Sequence, residues 1–249
     1  MERHKNLKNY VNAKFKLLKS QKRGSFAYVK KNDELITKKL EKEKYSSKIY
    51  RVHTSNLNKN FNKITNKYFI SDGNKENLSF IFKIAPKLKL NNKKLIKTIS
   101  KFKGLDYRQQ VIFDKKNLTI INDSKSTSFA SSENVLKNLN GAYWILGGIP
   151  KKGDKFKLPK IKSKNLKAFI FGPHRNKFIR ILKNKLKIKS FRNLQETIKV
   201  IFSEINNQKS KKNIIFFSPA GASFDSFKNF EDRGFFFNQI IKKYTNAKR

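Results

Sequence analysis

The chain has 249 residues, a formal net charge of +42 and no cysteine. That length allows a sizeable core or up to two domains, and the missing thiols exclude disulfides and thiolate metal sites. No apolar run approaches a membrane span and Met-Glu-Arg-His-Lys at the N-terminus lacks a secretory core, so a cytoplasmic protein with no membrane partner is the default expectation.

The charge invites a nucleic-acid reading, because a basic face attracts phosphate. Its make-up argues otherwise. Only nine of the 59 basic residues are Arg. Phosphate forks and base readers favour Arg over Lys. The Lys are also spread along the whole chain, accompanied by many Asn, Ile and Phe, which share AT-rich codons. Compositional bias of the genome explains that package, so no specific nucleic-acid partner is expected.

In chain order, Glu2 to Gln21 reads as a helix, with Leu7, Tyr10, Val11, Phe15 and Leu18 at three- and four-residue spacing. Phe26 to Val29 and Ile49 to His53 are strand candidates around a charged helical stretch, Glu34 to Lys44. Ser55 to Lys67 is polar and poorly defined, and Phe69-Ile70 suggests a further strand. Asn74 to Leu88 and Asn91 to Phe102 are helices by pattern. Gly104-Leu-Asp106 closes this part and marks a boundary, giving a segment 1–104 and a domain 105–249.

From Arg108 onwards apolar strands alternate with helices. The strands are Val111 to Phe113, Leu118 to Ile121, Ala142 to Leu146, Ala168 to Phe171 and Ile214 to Phe217, with Asp114 to Asn117 as a hairpin turn. Helices fall around Ser131 to Leu139, Arg175 to Lys183, Leu194 to Ile205 and Phe235 to Tyr244. The helix after Ile214 to Phe217 is marked by Asn229 as N-cap, with Glu231 and Asp232 in its first turn. This alternation implies an α/β, Rossmann-like domain with a mostly parallel sheet covered on both faces. Three polar loops follow three of its strands: Asn122 to Thr127, Gly147 to Lys152 and Ser218 to Ser223. Right-handed crossovers place such loops on one edge of the sheet. Their hydroxyls, ammonium groups and single carboxylate suit an anionic ligand, such as a nucleotide phosphate or an amino-acid carboxylate.

Several motifs are absent. There is no G-x-x-x-x-G-K-[ST] and no G-x-G-x-x-G. His4, His53 and His174 have no metal-ligand spacing and read more readily as surface or packing residues. Ser218 does not lie in a G-x-S-x-G elbow.

The wording of the loops carries more than their type. Ile-Ile-Asn-Asp-Ser-Lys-Ser-Thr-Ser ending at Ser128, Ile-Leu-Gly-Gly-Ile-Pro-Lys-Lys-Gly-Asp from Ile145 to Asp154, and Ser218 to Gly234 (SPAGASFDSFKNFEDRG) resemble the Mur ligase family of peptidoglycan synthesis. The last stretch points to the branch that handles D-glutamate. Gly104 to Gln110 resembles the family's hinge before its third domain, and Glu2 to Gln21 a helix of its central ATPase domain. The resemblance covers most of the chain, with no matching motif named in 34–73. It implies that 1–104 is the C-terminal part of that central domain, 105–249 the amino-acid-binding domain, and the whole an N-terminally truncated member lacking the P-loop part, monomeric if full length.

Roles carried over by resemblance are these. Lys14 matches a lysine that is carbamylated and helps hold Mg2+; without the resemblance it reads as a solvated Lys on a Lys-rich helix. Asn74 and Asn77 match an adenine-side Asn pair, although Gly73 stands where the family has His. Arg108 and Asp123 match residues at the phosphate and ribose of ATP, and Lys125 a phosphate-proximal lysine. Thr127, Lys151, Ser223 and the backbone near Phe230 match the D-glutamate carboxylate site. Tyr107 replaces the usual His and Gly221 a frequent Cys; neither change removes a charge. The implied reaction joins D-glutamate to UDP-N-acetylmuramoyl-L-alanine at the expense of ATP. The competing reading is a non-catalytic fragment or a basic nucleic-acid-binding module.

Overall fold

The computed structural model describes residues 4–54, 63–115, 117–207 and 212–246. These divide into two compact units, one of Met1–Thr65 with Gly73–Lys101, the other of Asn66–Asp72 with Phe102–Arg249.

In the first unit, helix α1 (Leu7–Lys19) starts at the first residue of its apolar pattern rather than at Glu2. The Asn6 side chain caps it, accepting from the Asn9 N–H at 2.9 Å. Strand β1 (Phe26–Lys30), helix α2 (Glu34–Lys42) and strand β2 (Lys48–Val52) follow, and β1 and β2 pair in parallel. Asp33 caps α2 by accepting from the Ile36 N–H at 3.0 Å. Helix α3 (Asp72–Ile84) stops just before Pro86, which cannot continue it, and α4 (Asn92–Lys101) completes the unit. Most of the polar stretch after Ser55 lies outside the described residues. Phe69-Ile70, which belongs to the second unit, is not a strand: Lys67–Ile70 forms a 3-10 turn. Asn66 accepts from the Tyr68 N–H at 2.9 Å, and Tyr68 and Phe69 pack on Phe102. Local capping and aromatic packing thus outweigh the β preference of two apolar residues.

The second unit is built on a six-stranded sheet. Its elements are β3 (Gln110–Lys115), β4 (Leu118–Asn122), α5 (Phe129–Leu136), β5 (Ala142–Gly147), the short β6 (Ile149–Pro150), α6 (Lys160–Ser163), β7 (Leu166–Phe171), α7 (Arg175–Leu182), β8 (Lys187–Phe191), α8 (Leu194–Asn206), β9 (Asn213–Phe217), the short β10 (Gly221–Ala222) and α9 (Phe230–Asn246). The strand order is β3-β4-β9-β5-β7-β8, and all pairs are parallel except the β3–β4 hairpin. The edge strand β8 has no counterpart in the sequence reading. Its alternating Lys187-Ile188-Lys189 leaves it half-exposed, and lysines are a common guard on a free sheet edge.

Alternation along the strands sends side chains to two cores. On one face Trp144, Leu146, Ala168, Ile170 and Phe216 meet Phe129 and Phe178. On the other Ile145, Phe169, Ile215 and Phe217 meet Ile198, Ile201, Phe237 and Ile241. Phe217 and Phe237 stack at 4.2 Å between ring centroids. Removing such a buried ring costs about 3–5 kcal/mol, so the central strands are held firmly beneath the loops that follow them.

Candidate functional site

Because β4, β9 and β5 are parallel neighbours, the loops after them share one sheet edge. Backbone bonds lock the three together. The Asp123 N–H donates to Phe217 O at 2.7 Å, the Ser218 N–H to Ile145 O at 3.1 Å, and the Gly147 N–H to Pro219 O at 2.9 Å. Strand β10 also pairs antiparallel with β6. Gly148, at φ +97°, is required here: a Cβ would strike Ala222 O and come within 2.9 Å of the Arg233 Nη1.

Arg233 ties the assembly from below and was missed by sequence reasoning. It is wholly buried on α9. Its Nε donates to Ser124 Oγ at 3.0 Å, one Nη to Ser124 O at 2.7 Å and the other to Gly221 O at 3.0 Å. Ser124 Oγ in turn donates to Phe230 O at 2.8 Å, joining the β4 loop to the start of α9. Burial pulls the guanidinium down to about 10, and the charge of Asp225 works against this. A signal did exist. Arg233 occupies the same helical stripe as Phe237, Ile240 and Ile241, so spacing alone marks it as an inward-facing cation.

Asp123 lies within this network, only 5% exposed. Its carboxylate accepts from the Gln109 N–H and from Ser218 Oγ, both at 3.1 Å. Burial pushes it up to about 7, against the opposing effects of the Ser218 bond, the Gln109 N–H and the Arg108 charge. The bond to Gln109 draws in the segment 104–110, where Tyr107 and Gln109 both have positive φ. Gly234 makes room for that segment, since a Cβ there would overlap the Tyr107 ring.

Round this buried framework stand the exposed candidates. Arg108, Thr127 and Lys151 are exposed, Ser223 is buried, and Lys125 and Phe230 are half-buried. The Lys125 ammonium sits 3.7 Å from the centre of the Phe230 ring, a cation–π contact that orients both. Ser223 O accepts from the Ser226 and Phe227 N–H groups, folding the turn into α9. Asn229 caps that helix, its side chain accepting from the Asp232 N–H at 2.8 Å. The loop bearing Lys151 is pinned by Asp154, which accepts from the Phe129 N–H at 2.7 Å. Lys125, Ser223 and Phe230 therefore come together through Ser124 and Arg233, while Thr127 and Lys151 stand on the two loops flanking the start of α5.

The first unit holds Lys14, Asn74 and Asn77. Lys14 is exposed on α1, 5.5 Å from the centre of the Tyr10 ring. It lines a cavity of about 440 Å3 with Tyr28, Lys30, Asp33 and Glu76. Both carboxylates there are engaged: Glu76 pairs with Lys30 at 2.7 Å and Asp33 caps α2. No group of three His, Asp or Glu suited to a metal occurs among the described residues. The residues present around Lys14 do not by themselves make a Mg2+ site. Asn74 and Asn77 stand three residues apart on α3, Asn74 buried and Asn77 exposed.

No family model matches the chain. Curated relatives do. The UDP-N-acetylmuramoylalanine–D-glutamate ligase of Rickettsia felis is 31% identical over 179 residues, 72% of this chain and 40% of that protein. The enzyme of the same name from Prochlorococcus marinus strain MIT 9515 is 31% identical over 273 residues, covering 100% of this chain and 56% of that protein. This chain is a homologue of the Mur ligases. Among solved structures, the MurF ligase of Thermotoga maritima in complex with ADP is similar in fold, with a TM-score of 0.62 at 12% identity over 99% of this chain and 60% of that one. The chain spans about half the length of the curated relatives it matches, from 40% to 59% of the first three. No helix among the described residues is long and apolar enough to cross a membrane.

Proposed function

We propose that this chain is the amino-acid-presenting part of an ATP-dependent ligase that joins D-glutamate to UDP-N-acetylmuramoyl-L-alanine. The observation that supports this most is the interlocked carboxyl edge: a rigid, buried polar frame with ammonium and hydroxyl groups at its rim. Two carboxylates of an amino acid need fixed cations and hydroxyls at fixed spacing, and groups held by a packed frame supply them without reorganisation.

In the proposed reaction, ATP phosphorylates the terminal carboxylate of the UDP-linked substrate. The amine of D-glutamate attacks the acyl phosphate carbon, phosphate leaves, and an amide forms alongside ADP. Lys151, Thr127 and Ser223, with the backbone at Phe230, hold the D-glutamate carboxylates. Arg108 and Lys125 face the nucleotide phosphates. Asp123 meets the ribose only by giving up part of its bonding to Gln109. The sequence contains no G-x-x-x-x-G-K-[ST], so the 249 residues carry only part of the active site.

Two measurements test this. Amide chemical-shift mapping of the chain with D- and L-glutamate should show D-selective shifts at Thr127, Ser223 and Phe230, weakened at least tenfold by Lys151→Ala. Shifts elsewhere, or equal response to both enantiomers, would reject the amino-acid site. With all three substrates and magnesium added, the purified chain should release no ADP; turnover would reject the partial-site reading.

A further inference from the structure

Behind the rim, four oxygen-bearing side chains form an unbroken line. Asp123 Oδ2 is 3.1 Å from Ser218 Oγ, which is 2.7 Å from Ser132 Oγ, which is 2.9 Å from Ser126 Oγ. Ser126 Oγ lies 3.5 Å from Ser128 O. Ser218 and Ser132 are wholly buried and Ser126 is 3% exposed. Ser128 O also accepts the Ser132 N–H at 3.3 Å, the opening bond of α5, and Ser128 is that helix's N-cap. The line thus runs from a buried carboxyl group to the first turn of a helix, passing beside Thr127.

We infer that Ser218, Ser132 and Ser126 are a hydroxyl relay that transmits the protonation state of Asp123 to the N-terminus of α5. Each hydroxyl has a single proton to donate. While Asp123 is charged it can only accept, so Ser218 donates to it. Ser132 then donates to Ser218, whose Oγ at 2.7 Å is nearer than its carbonyl at 3.3 Å, and Ser126 donates to Ser132. When Asp123 takes up a proton from solvent it can donate to Ser218 instead. Ser218 then turns to Ser132, Ser132 to Ser126, and Ser126 to Ser128 O. Rotation about the three C–O bonds accomplishes the reversal, and no hydroxyl proton leaves the line. At the far end the consequence falls on the helix: in the neutral state Ser128 O gains a second donor, which competes with the Ser132 N–H.

The groups acting on Asp123 are the Gln109 N–H and Arg108 from the preceding segment, Ser218 from the β9 loop, and Tyr68 from the 3-10 turn. Burial outweighs them and holds the carboxyl near 7, so both polarities are accessible close to neutrality. The direction for stability follows. A carboxyl whose folded pKa is raised binds its proton more tightly folded than unfolded. Its stabilising contribution is full below the ordinary carboxylate range and is lost as pH rises through about 7. If the proposed ligase reading holds, the relay links a nucleotide-side group to the Thr127 side of the site; the relay itself does not depend on that reading.

The test uses the 249-residue chain, isotopically labelled, with no ligand. The Asp123 carboxyl carbon should titrate close to neutrality, and the Ser132 amide should shift with the same midpoint. Ser126→Ala should abolish the Ser132 amide titration while moving the Asp123 midpoint little. Ser126→Thr, which keeps the hydroxyl, should restore it. Asp123→Asn should remove both titrations. A Ser132 amide that stays flat through the Asp123 transition, or that still follows it in Ser126→Ala, overturns the relay. So does an Asp123 carboxyl that titrates only in the ordinary acid range.

Discussion

At the carboxyl edge of the six-stranded sheet the polar groups are inside, whereas around Lys14 they are outside. Ser124, Ser218 and Arg233 are wholly buried and bonded to one another's loops. Lys14 is exposed, and the neighbouring Lys30 and Glu76 side chains are each 33% exposed. Both regions are rich in ionisable groups, and both carry residues implicated by resemblance. They differ in what a substitution removes. Inside, a lost donor leaves desolvated acceptors behind; outside, water replaces it. The contrast teaches that net charge, the most conspicuous property of the sequence, says little about where the consequential polar groups lie.

The largest expected effect comes from Arg233→Ala. It orphans Ser124 O and Gly221 O and opens a cavity beneath three loops. Against this, it removes a buried cation that has no ion pair to a carboxylate among the described residues, which is itself unfavourable. Two unsatisfied carbonyls at roughly 1–3 kcal/mol each, plus the cavity, outweigh that relief. We expect a net loss of about 3 kcal/mol in urea-induced unfolding of the chain. A change below about 1 kcal/mol would show that the buried frame is held by the sheet alone.

Much of the second unit was legible. Apolar runs such as Ile214 to Phe217 are buried on both faces, so they announce a parallel strand directly. The N-cap Asn229 was equally plain, because capping is a local contest between a side chain and its own backbone. What was not legible depends on distant partners. The β8 edge carries lysines where a strand pattern wants apolar residues. The 3-10 turn at Lys67–Ile70 joins the local Asn66 cap to packing on Phe102, more than thirty residues away. At the site, the three loops could be placed on one edge from topology, and their rim residues named from wording. The clasp of Arg233 on Ser124 spans more than a hundred residues of sequence, and no local pattern predicts the partner.

A smaller effect, of decidable sign, sharpens the comparison within the same region. Gly234 lies inside α9, where Gly→Ala ordinarily stabilises by about 1 kcal/mol. The added Cβ would overlap the Tyr107 ring, and forcing a ring aside in a packed site costs about 1–3 kcal/mol. We therefore expect Gly234→Ala to destabilise by about 1 kcal/mol net. In a Tyr107→Ala background the clash is gone, and the same substitution should become neutral or stabilising. Denaturation of the four proteins of this cycle supplies the coupling energy. A Gly234→Ala effect independent of Tyr107 would mean that the segment 104–110 does not rest on α9.

The smallest effect is expected at Lys14, and it is the one that separates structural from chemical importance. The side chain is exposed, and its ammonium lies 5.5 Å from the centre of the Tyr10 ring, near the limit of a useful cation–π contact. Surface substitutions of this kind change stability by less than about 0.5 kcal/mol. Lys14→Ala should therefore leave the unfolding midpoint of the chain almost unmoved, while Arg233→Ala shifts it strongly. If Lys14→Ala proved as damaging as Arg233→Ala, the two regions would be built alike after all. Lys14 would then be a packing residue of the Tyr10–Tyr28 cavity, and the carbamylation implied by resemblance would have lost its exposed amine.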